Sequence, residues 1–191
     1  EQMREIRGKR ISMVFQDPQS FLNPILKVGD QMLETLQCHN PNLTMEEARQ
    51  KAVELLTAVR TPEAQKILNR YPFQLSGGMA QRVAIALALS SNPSLVIADE
   101  PTSSLDLTIQ AQIVQLIKSL TDAFKLSVLL ITHDLSLVAN LVDKVYVMYA
   151  GNIIEEDHTD KLFDSPLHPY TVMLFNAVRE LQGMASSASP I

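Results

Sequence analysis

The string Leu75-Ser76-Gly77-Gly78-Met79 sets two glycines directly after a serine and ahead of a long apolar run. A serine that caps a helix, followed by residues without side chains, lets a ligand come close to free backbone N–H groups. The positive end of the helix dipole then favours an anion, and a phosphate is the natural guest. Taken alone, the same string also serves as an ordinary helix cap. Leu95-Val96-Ile97-Ala98-Asp99-Glu100 delivers two adjacent carboxylates at the end of an apolar run, the edge at which open α/β sheets bind ligands. Asp99 suits a hard cation such as Mg2+, held through water, and Glu100 can orient or deprotonate an attacking water. Ile131-Thr132-His133-Asp134 closes another apolar run on a histidine, which can hydrogen-bond developing negative charge. Gln16 offers an amide oxygen and nitrogen able to contact both a metal ion and a water. In isolation the acid pair, the histidine and the glutamine also read as solvated surface residues.

The elements that must carry these residues follow from the pattern of apolar positions. Residues 11–15 read as a strand that stops before Pro18, since proline cannot continue a ladder. A loop follows, then a helix over residues 28–36. Thr44 and Glu47 form a capping box, and Ala48, Ala52, Leu55, Leu56 and Val59 recur at helical spacing. Thr61-Pro62-Glu63 reads as a further helix start, with proline in the first turn, so residues 26–70 form a helical stretch without strands. Ser76 caps a helix over residues 77–91, apolar enough to be buried. Residues 95–98 form a strand. Asp106 caps a long helix striped by Ile109, Ile113, Leu116, Ile117, Leu120 and Phe124. Residues 127–132 give another strand, 135–141 a short helix, and 145–149 with 153–155 a strand pair joined through Ala150-Gly151-Asn152. Residues 183–191 read as a frayed end. Alternating strands and helices make the chain α/β with a mainly parallel sheet.

Composition narrows the partners. The chain has 191 residues, 46% hydrophobic and 19% charged, which excludes disorder and coiled coil. Its net charge of −5 argues against a protein that coats nucleic acid, which needs a basic face. Cys38 is the single cysteine, so no internal disulfide and no cysteine-built zinc or iron–sulfur site can form; it reads as a small half-buried residue. No apolar run has the length of a bilayer span.

In order and type these elements resemble the ABC ATPase family. Val14-Phe15-Gln16-Asp17 matches its Q-loop and Leu75-Ser76-Gly77-Gly78-Met79, with Gln81-Arg82, its signature. Asp99 and Glu100 end its Walker B strand, Ser103-Ser104-Leu105-Asp106 matches its D-loop, and His133 its switch histidine. The resemblance implies a P-loop NTPase core, a RecA-like parallel sheet without its N-terminal portion, with a helical subdomain carrying the signature. Residues 1–25 would hold the Q-loop strand and loop, 26–92 the helical subdomain, 93–157 the Walker B, D-loop and H-loop core, and 158–191 a helical tail.

It also implies a head-to-tail dimer with ATP and Mg2+ at the interface. Asp99 and Gln16 would hold the metal, Glu100 would act on the lytic water, and His133 would stabilise transition-state charge. Ser76, Gly77, Gly78 and Met79 would meet the phosphates bound by the other subunit, with Asp106 bridging the interface. Phe21-Leu22-Asn23-Pro24, Tyr71-Pro72 and His168-Pro169-Tyr170-Thr171 resemble the ATPase subunits of oligopeptide and dipeptide importers. That points to a peripheral protein at the cytoplasmic face of a bacterial inner membrane. Its partners would be a second ATPase, permease subunits reached through the Q-loop and, indirectly, a solute-binding protein, with no nucleic acid. Phe73 and Ala80 depart from these importers, which often carry histidine and arginine there.

The phosphate-gripping string Gly-x-x-x-x-Gly-Lys-Ser/Thr does not occur in the 191 residues. The expectation is a segment that begins late within a larger domain and does not hydrolyse ATP alone. Two alternatives stay open: a soluble ATPase acting on DNA or ribosomes, and a non-catalytic partner supplying only the signature half-site.

Overall fold

The computed structural model of the chain describes Met3 and residues 6–177, with Ser136 described by its backbone alone. The expected frayed end, residues 183–191, and the last part of the expected tail lie outside the described residues. Two compact units divide the chain, Glu1–Ile131 and Thr132–Ile191. This boundary falls inside the segment 93–157 that the family resemblance implies as one core.

In the first unit, β1 (Ile11–Val14), β2 (Leu95–Asp99) and β3 (Ser127–Ile131) form a parallel sheet in that order. Val14 pairs with Ala98 and Asp99 with Ile131, so the strands end along one edge. β1 stops one residue earlier than its apolar run. The reason is local: Asp17 caps a single helical turn, α1 (Pro18–Phe21), accepting the Gln19 N–H at 3.0 Å, with proline at the first helical position. The first part of the expected loop is therefore helical, and the loop itself is left to residues 22–27.

Residues 26–70 contain helices and no strand, as the pattern predicts. They form α2 (Val28–His39), α3 (Met45–Ala58) and α4 (Ala64–Ile67). The Thr44–Glu47 capping box is present, with the Thr44 N–H on Glu47 at 2.9 Å and the Glu47 N–H on the Thr44 hydroxyl at 3.3 Å. No side chain caps α2. Its first donors are met instead by carbonyls from the turn after α4, Val28 N–H to Arg70 O and Gly29 N–H to Leu68 O, both at 2.9 Å. A Cβ at Gly29 would lie 2.7 Å from that Leu68 oxygen, so only glycine permits this approach.

A helix does start after Thr61-Pro62-Glu63, with Glu63 in the cap position, but the expected place of Pro62 in its first turn is corrected. Arg60 adopts a left-handed φ of 56°, and the N–H groups of Arg60 and Thr61 close back on Thr57 and Leu56 at 2.9 and 3.0 Å. This is a Schellman ending of α3, after which proline is common. Thr61-Pro62 thus belongs to a helix end, and α4 begins only at Ala64.

After a 3-10 turn at Pro72–Gln74, α5 (Gly77–Leu89) runs through the core with eight of its residues buried, Gln81 among them. α6 (Leu107–Phe124) buries Ile113, Leu116 and Leu120 and rests Ile109, Ile117 and Phe124 partly on the same core. That core joins Val28, Met32, Leu56, Val83 and Val96 into one cluster. Cys38, expected to be half-buried, is exposed on α2.

The second unit contains α7 (Leu135–Leu141), the antiparallel pair β4 (Lys144–Tyr149) and β5 (Asn152–His158), α8 (Thr159–Asp164), and helical residues 169–177. Ala150 and Gly151, at φ 47° and 79°, make the hairpin turn. Leu135, Val147, Leu162 and Phe175 form its core.

The His168-Pro169-Tyr170-Thr171 string has a structural task here. The Glu155 carboxylate accepts the N–H groups of Leu167 and His168 at 2.7 and 3.0 Å, just ahead of the terminal helix. His168 Nδ1 accepts the Tyr170 N–H at 3.1 Å. Partial burial pushes the Glu155 carboxyl up, but the Leu167 N–H, the Thr171 side chain and the His168 N–H together with the His168 ring outweigh it and hold the group below the ordinary glutamate value of 4.5. A depressed carboxyl stabilises the fold above that value and loses its contribution as pH falls through the lower, folded value. We expect Glu155→Ala to lose about 1 kcal/mol at neutral pH and to flatten the acid-side fall in stability. Tyrosine fluorescence melts across pH 3–7 check this; an acid-side slope equal to that of the unsubstituted chain would refute it.

Among the described residues no helix is long and apolar enough to cross a membrane.

Candidate functional site

The C-terminal edge of the parallel sheet collects three of the candidates. Gln16 lies two residues past β1 and is exposed; Asp99 ends β2 and Glu100 follows it, both half-buried. Glu100 has a left-handed backbone, φ 47°. For a residue with a Cβ this costs about 1–2 kcal/mol, and such strain collects at functional positions where the surroundings hold it. Here its N–H donates to Ile131 O of β3 at 2.9 Å, and its carbonyl accepts the Ser103 N–H and hydroxyl at 3.2 and 3.1 Å. The acid is therefore anchored on both sides of the turn that carries it.

The next turn is fixed just as firmly. The Gln110 side-chain amide donates to the carbonyls of Thr102 and Leu105, each at 3.0 Å. Asp106 Oδ1 accepts the N–H groups of Thr108 and Ile109, each at 3.1 Å, and so caps α6 as the sequence pattern predicts. Its Oδ1 is committed to that helix end in this chain.

Ser76 is exposed and caps α5, its hydroxyl accepting the Met79 N–H at 3.4 Å. The following glycines have a role beyond close ligand approach. A Cβ at Gly78 would sit 2.7 Å from Ile109 Cγ2, and one at Gly77 would sit 3.3 Å from Leu105 Cδ2. The signature turn is thus packed directly on the start of α6. Arg82, one turn into α5, donates to Val59 O at 2.8 Å and to Gln112 Oε1 at 3.1 Å. The sequence names Arg82 only as part of a motif and gives no hint of Gln112, because their meeting depends on tertiary packing.

His133 is exposed and lies two residues beyond β3, at the start of the second unit, where the Asp134 N–H donates to the Thr132 hydroxyl at 3.0 Å. Sequence reasoning also passed over the stacked rings of Phe15 and Phe21, 5.1 Å apart and each more than a third exposed. Tyr71 and Phe73 form a second stack at 5.5 Å, with Phe73 70% exposed. The strings containing them gave a signal, since aromatic residues flank the motif glutamine and precede the signature.

This geometry has counterparts among known proteins. The ABC transporter family model matches residues 1–103. The oligopeptide transport ATP-binding protein AppD of Bacillus subtilis (strain 168) is 51% identical over 179 residues, 94% of this chain and 54% of AppD. The glutathione import ATP-binding protein GsiA of Escherichia coli (strain K12) is 51% identical over 183 residues, 96% of this chain and 29% of GsiA. The chain therefore spans about half the length of one relative and under a third of the other. In the dimeric, post-hydrolysis ATP-binding cassette MJ0796 bound to ADP and Pi, 66% of the chain superposes on 83% of this one, with a TM-score of 0.72 and 32% identity. With more than half of its residues inside that family model, and half of its aligned residues shared with ATP-binding proteins of oligopeptide transport and glutathione import, the chain belongs to the ABC transporter family.

Proposed function

We propose that this chain is part of the ATPase that energises a bacterial importer of oligopeptides. The observation that carries the chemistry is Glu100, half-buried beside Asp99 and held in a left-handed turn between β3 and Ser103. The likeness to AppD, an oligopeptide transport ATP-binding protein, supports the substrate class.

The residues present fit the proposed metal nucleotide. Among the described residues no three His, Cys, Asp or Glu side chains gather into a metal site, and Mg2+ in nucleotide sites needs no more than one or two carboxylates together with substrate phosphates. Asp99 and Gln16, at the ends of adjacent strands, would hold that ion, which when bound neutralises developing phosphate charge. Glu100 would take the proton of the attacking water, and His133 would donate a hydrogen bond to the charge that develops. Ser76, Gly77, Gly78 and Met79 would present the N-terminal end of α5 to the nucleotide of the opposite subunit. Asp106 would add a contact across the same interface.

The head-to-tail partner is a second ATPase subunit, in keeping with the dimeric MJ0796 cassette. The exposed Phe15–Phe21 stack, with Ile25 79% exposed nearby in sequence, suits docking of a membrane permease. Through it the protein would sit at the cytoplasmic face of the inner membrane, with a solute-binding protein delivering the peptide. Without a Gly-x-x-x-x-Gly-Lys string in its sequence, the isolated chain would not turn over ATP.

Vesicles carrying the assembled importer test the substrate class. Labelled oligopeptides should accumulate only with ATP inside the cytoplasmic compartment. Accumulation of another solute with no competition from peptides would overturn the assignment.

A further inference from the structure

The start of α5 and the start of α6 meet along a seam with three successive rungs. Gly77 faces Leu105, Gly78 faces Ile109, and Arg82 donates to Gln112 at 3.1 Å. Leu105, Ile109 and Gln112 are spaced four and three residues apart, which sets them on one side of α6 and its cap. The rungs differ in kind. The first two are close apolar approaches that a Cβ at either glycine would crowd, at 3.3 and 2.7 Å. The third is a charge-assisted hydrogen bond at the far end, and the same guanidinium holds Val59 O at the end of α3. The seam continues into the turn before α6, because Gln110 clasps the carbonyls of Thr102 and Leu105.

We propose that Gln112, acting through Arg82, is a positioning residue for the signature turn. Residues 76–79 and residues 103–106 then move as one rigid piece rather than as two independent loops. Packing alone would fix how near α5 comes to α6. A planar guanidinium bonded to two other elements also fixes the rotation of α5 about its own axis, and that rotation decides where the Ser76 hydroxyl and the first N–H groups aim. Gln112 touches no reacting atom in this scheme. The inference rests on the reading that the signature turn meets nucleotide, and the two are tested separately.

Amide hydrogen exchange on the 191-residue chain tests the seam without any nucleotide. Gln112→Ala should speed exchange about three- to tenfold in residues 77–82 and 106–110 while leaving α2 and α3 unchanged. Gln112→Glu, which keeps an acceptor for Arg82, should restore protection. Gln115→Ala, an exposed glutamine elsewhere on α6, should behave as the unsubstituted chain. Unchanged exchange in Gln112→Ala, acceleration spread evenly over the whole unit, or the same pattern in Gln115→Ala would each overturn the seam.

In the assembled importer, Gln112→Ala should lower kcat and leave the KM for ATP unchanged. Ser76→Ala reports on the underlying reading. Loss of turnover with Ser76→Ala but not with Gln112→Ala would overturn the positioning role alone. Loss with neither would overturn the signature reading and the inference with it.

Discussion

Replacing Glu100 by glutamine lowers ATP turnover of the assembled importer by about a hundred- to ten-thousand-fold, the usual worth of a positioned proton acceptor. The expectation follows from how narrowly the substitution acts. Glutamine has nearly the same shape as glutamate, so the left-handed turn at φ 47° and its bonds to Ile131 and Ser103 are kept. What disappears is the negative charge able to receive the proton of an attacking water. The KM for ATP should therefore hold while kcat falls, since the interaction lost belongs to the transition state. Thermal stability should hold as well. Steady-state phosphate release, measured beside a melt of the same preparation, decides the matter. Turnover within a factor of about two of the unsubstituted complex would remove Glu100 from the mechanism.

Gly78→Ala tests the other half of the site through packing. The new Cβ would stand 2.7 Å from Ile109 Cγ2, and a β-branched isoleucine within a helix has essentially one χ1 rotamer, so it cannot swing aside. Overpacking of this kind costs about 1–3 kcal/mol, against which the better helix propensity of alanine returns at most about 1 kcal/mol. A chain of this size should then melt a few degrees lower, at about 2–4 °C per kcal/mol. Gly77→Ala is the built-in contrast. Its Cβ meets only the mobile end of Leu105, at 3.3 Å, and a leucine tip can yield by a few tenths of an ångström. Melting curves of both variants, with Ile109→Ala added to each, give a coupling cycle. A Gly78→Ala chain as stable as the original, or one that Ile109→Ala fails to rescue, would show that α5 and α6 do not meet this closely.

The parts of the fold legible in the sequence are those whose physics is local. Thr44, Ser76 and Asp106 cap the helices they were expected to cap, because a side-chain oxygen that reaches two or three residues ahead can be read from spacing alone. The stripe on α6 was legible for the same reason. Asp17-Pro18 carried an equally local signal, an N-cap followed by proline at the first position, yet proline also ends strands, and the two readings compete over the same residues. Thr61-Pro62 failed in the opposite way. Proline suits both the start of a helix and the stretch just after one, and Arg60 decides between them by taking a left-handed backbone. The site divides along the same line. Gln16, Asp99 and Glu100 follow from strand ends, whereas the Gly78–Ile109 and Arg82–Gln112 contacts join residues 31 and 30 positions apart. Nothing in a helical period announces which face of one helix will touch which face of another.

The backbone at Glu100 also bears on how this chain would change under selection. Glycine takes up a left-handed conformation without steric cost, and asparagine tolerates it better than glutamate. Lineages or libraries filtered only for heat resistance would therefore drift towards those residues at position 100, shedding strain and the carboxylate in one step. The folded protein would survive, and its persistence would disguise the loss. Durability and work pull against each other at this single residue, so a glutamate kept there through many generations would itself be a record of demand for turnover.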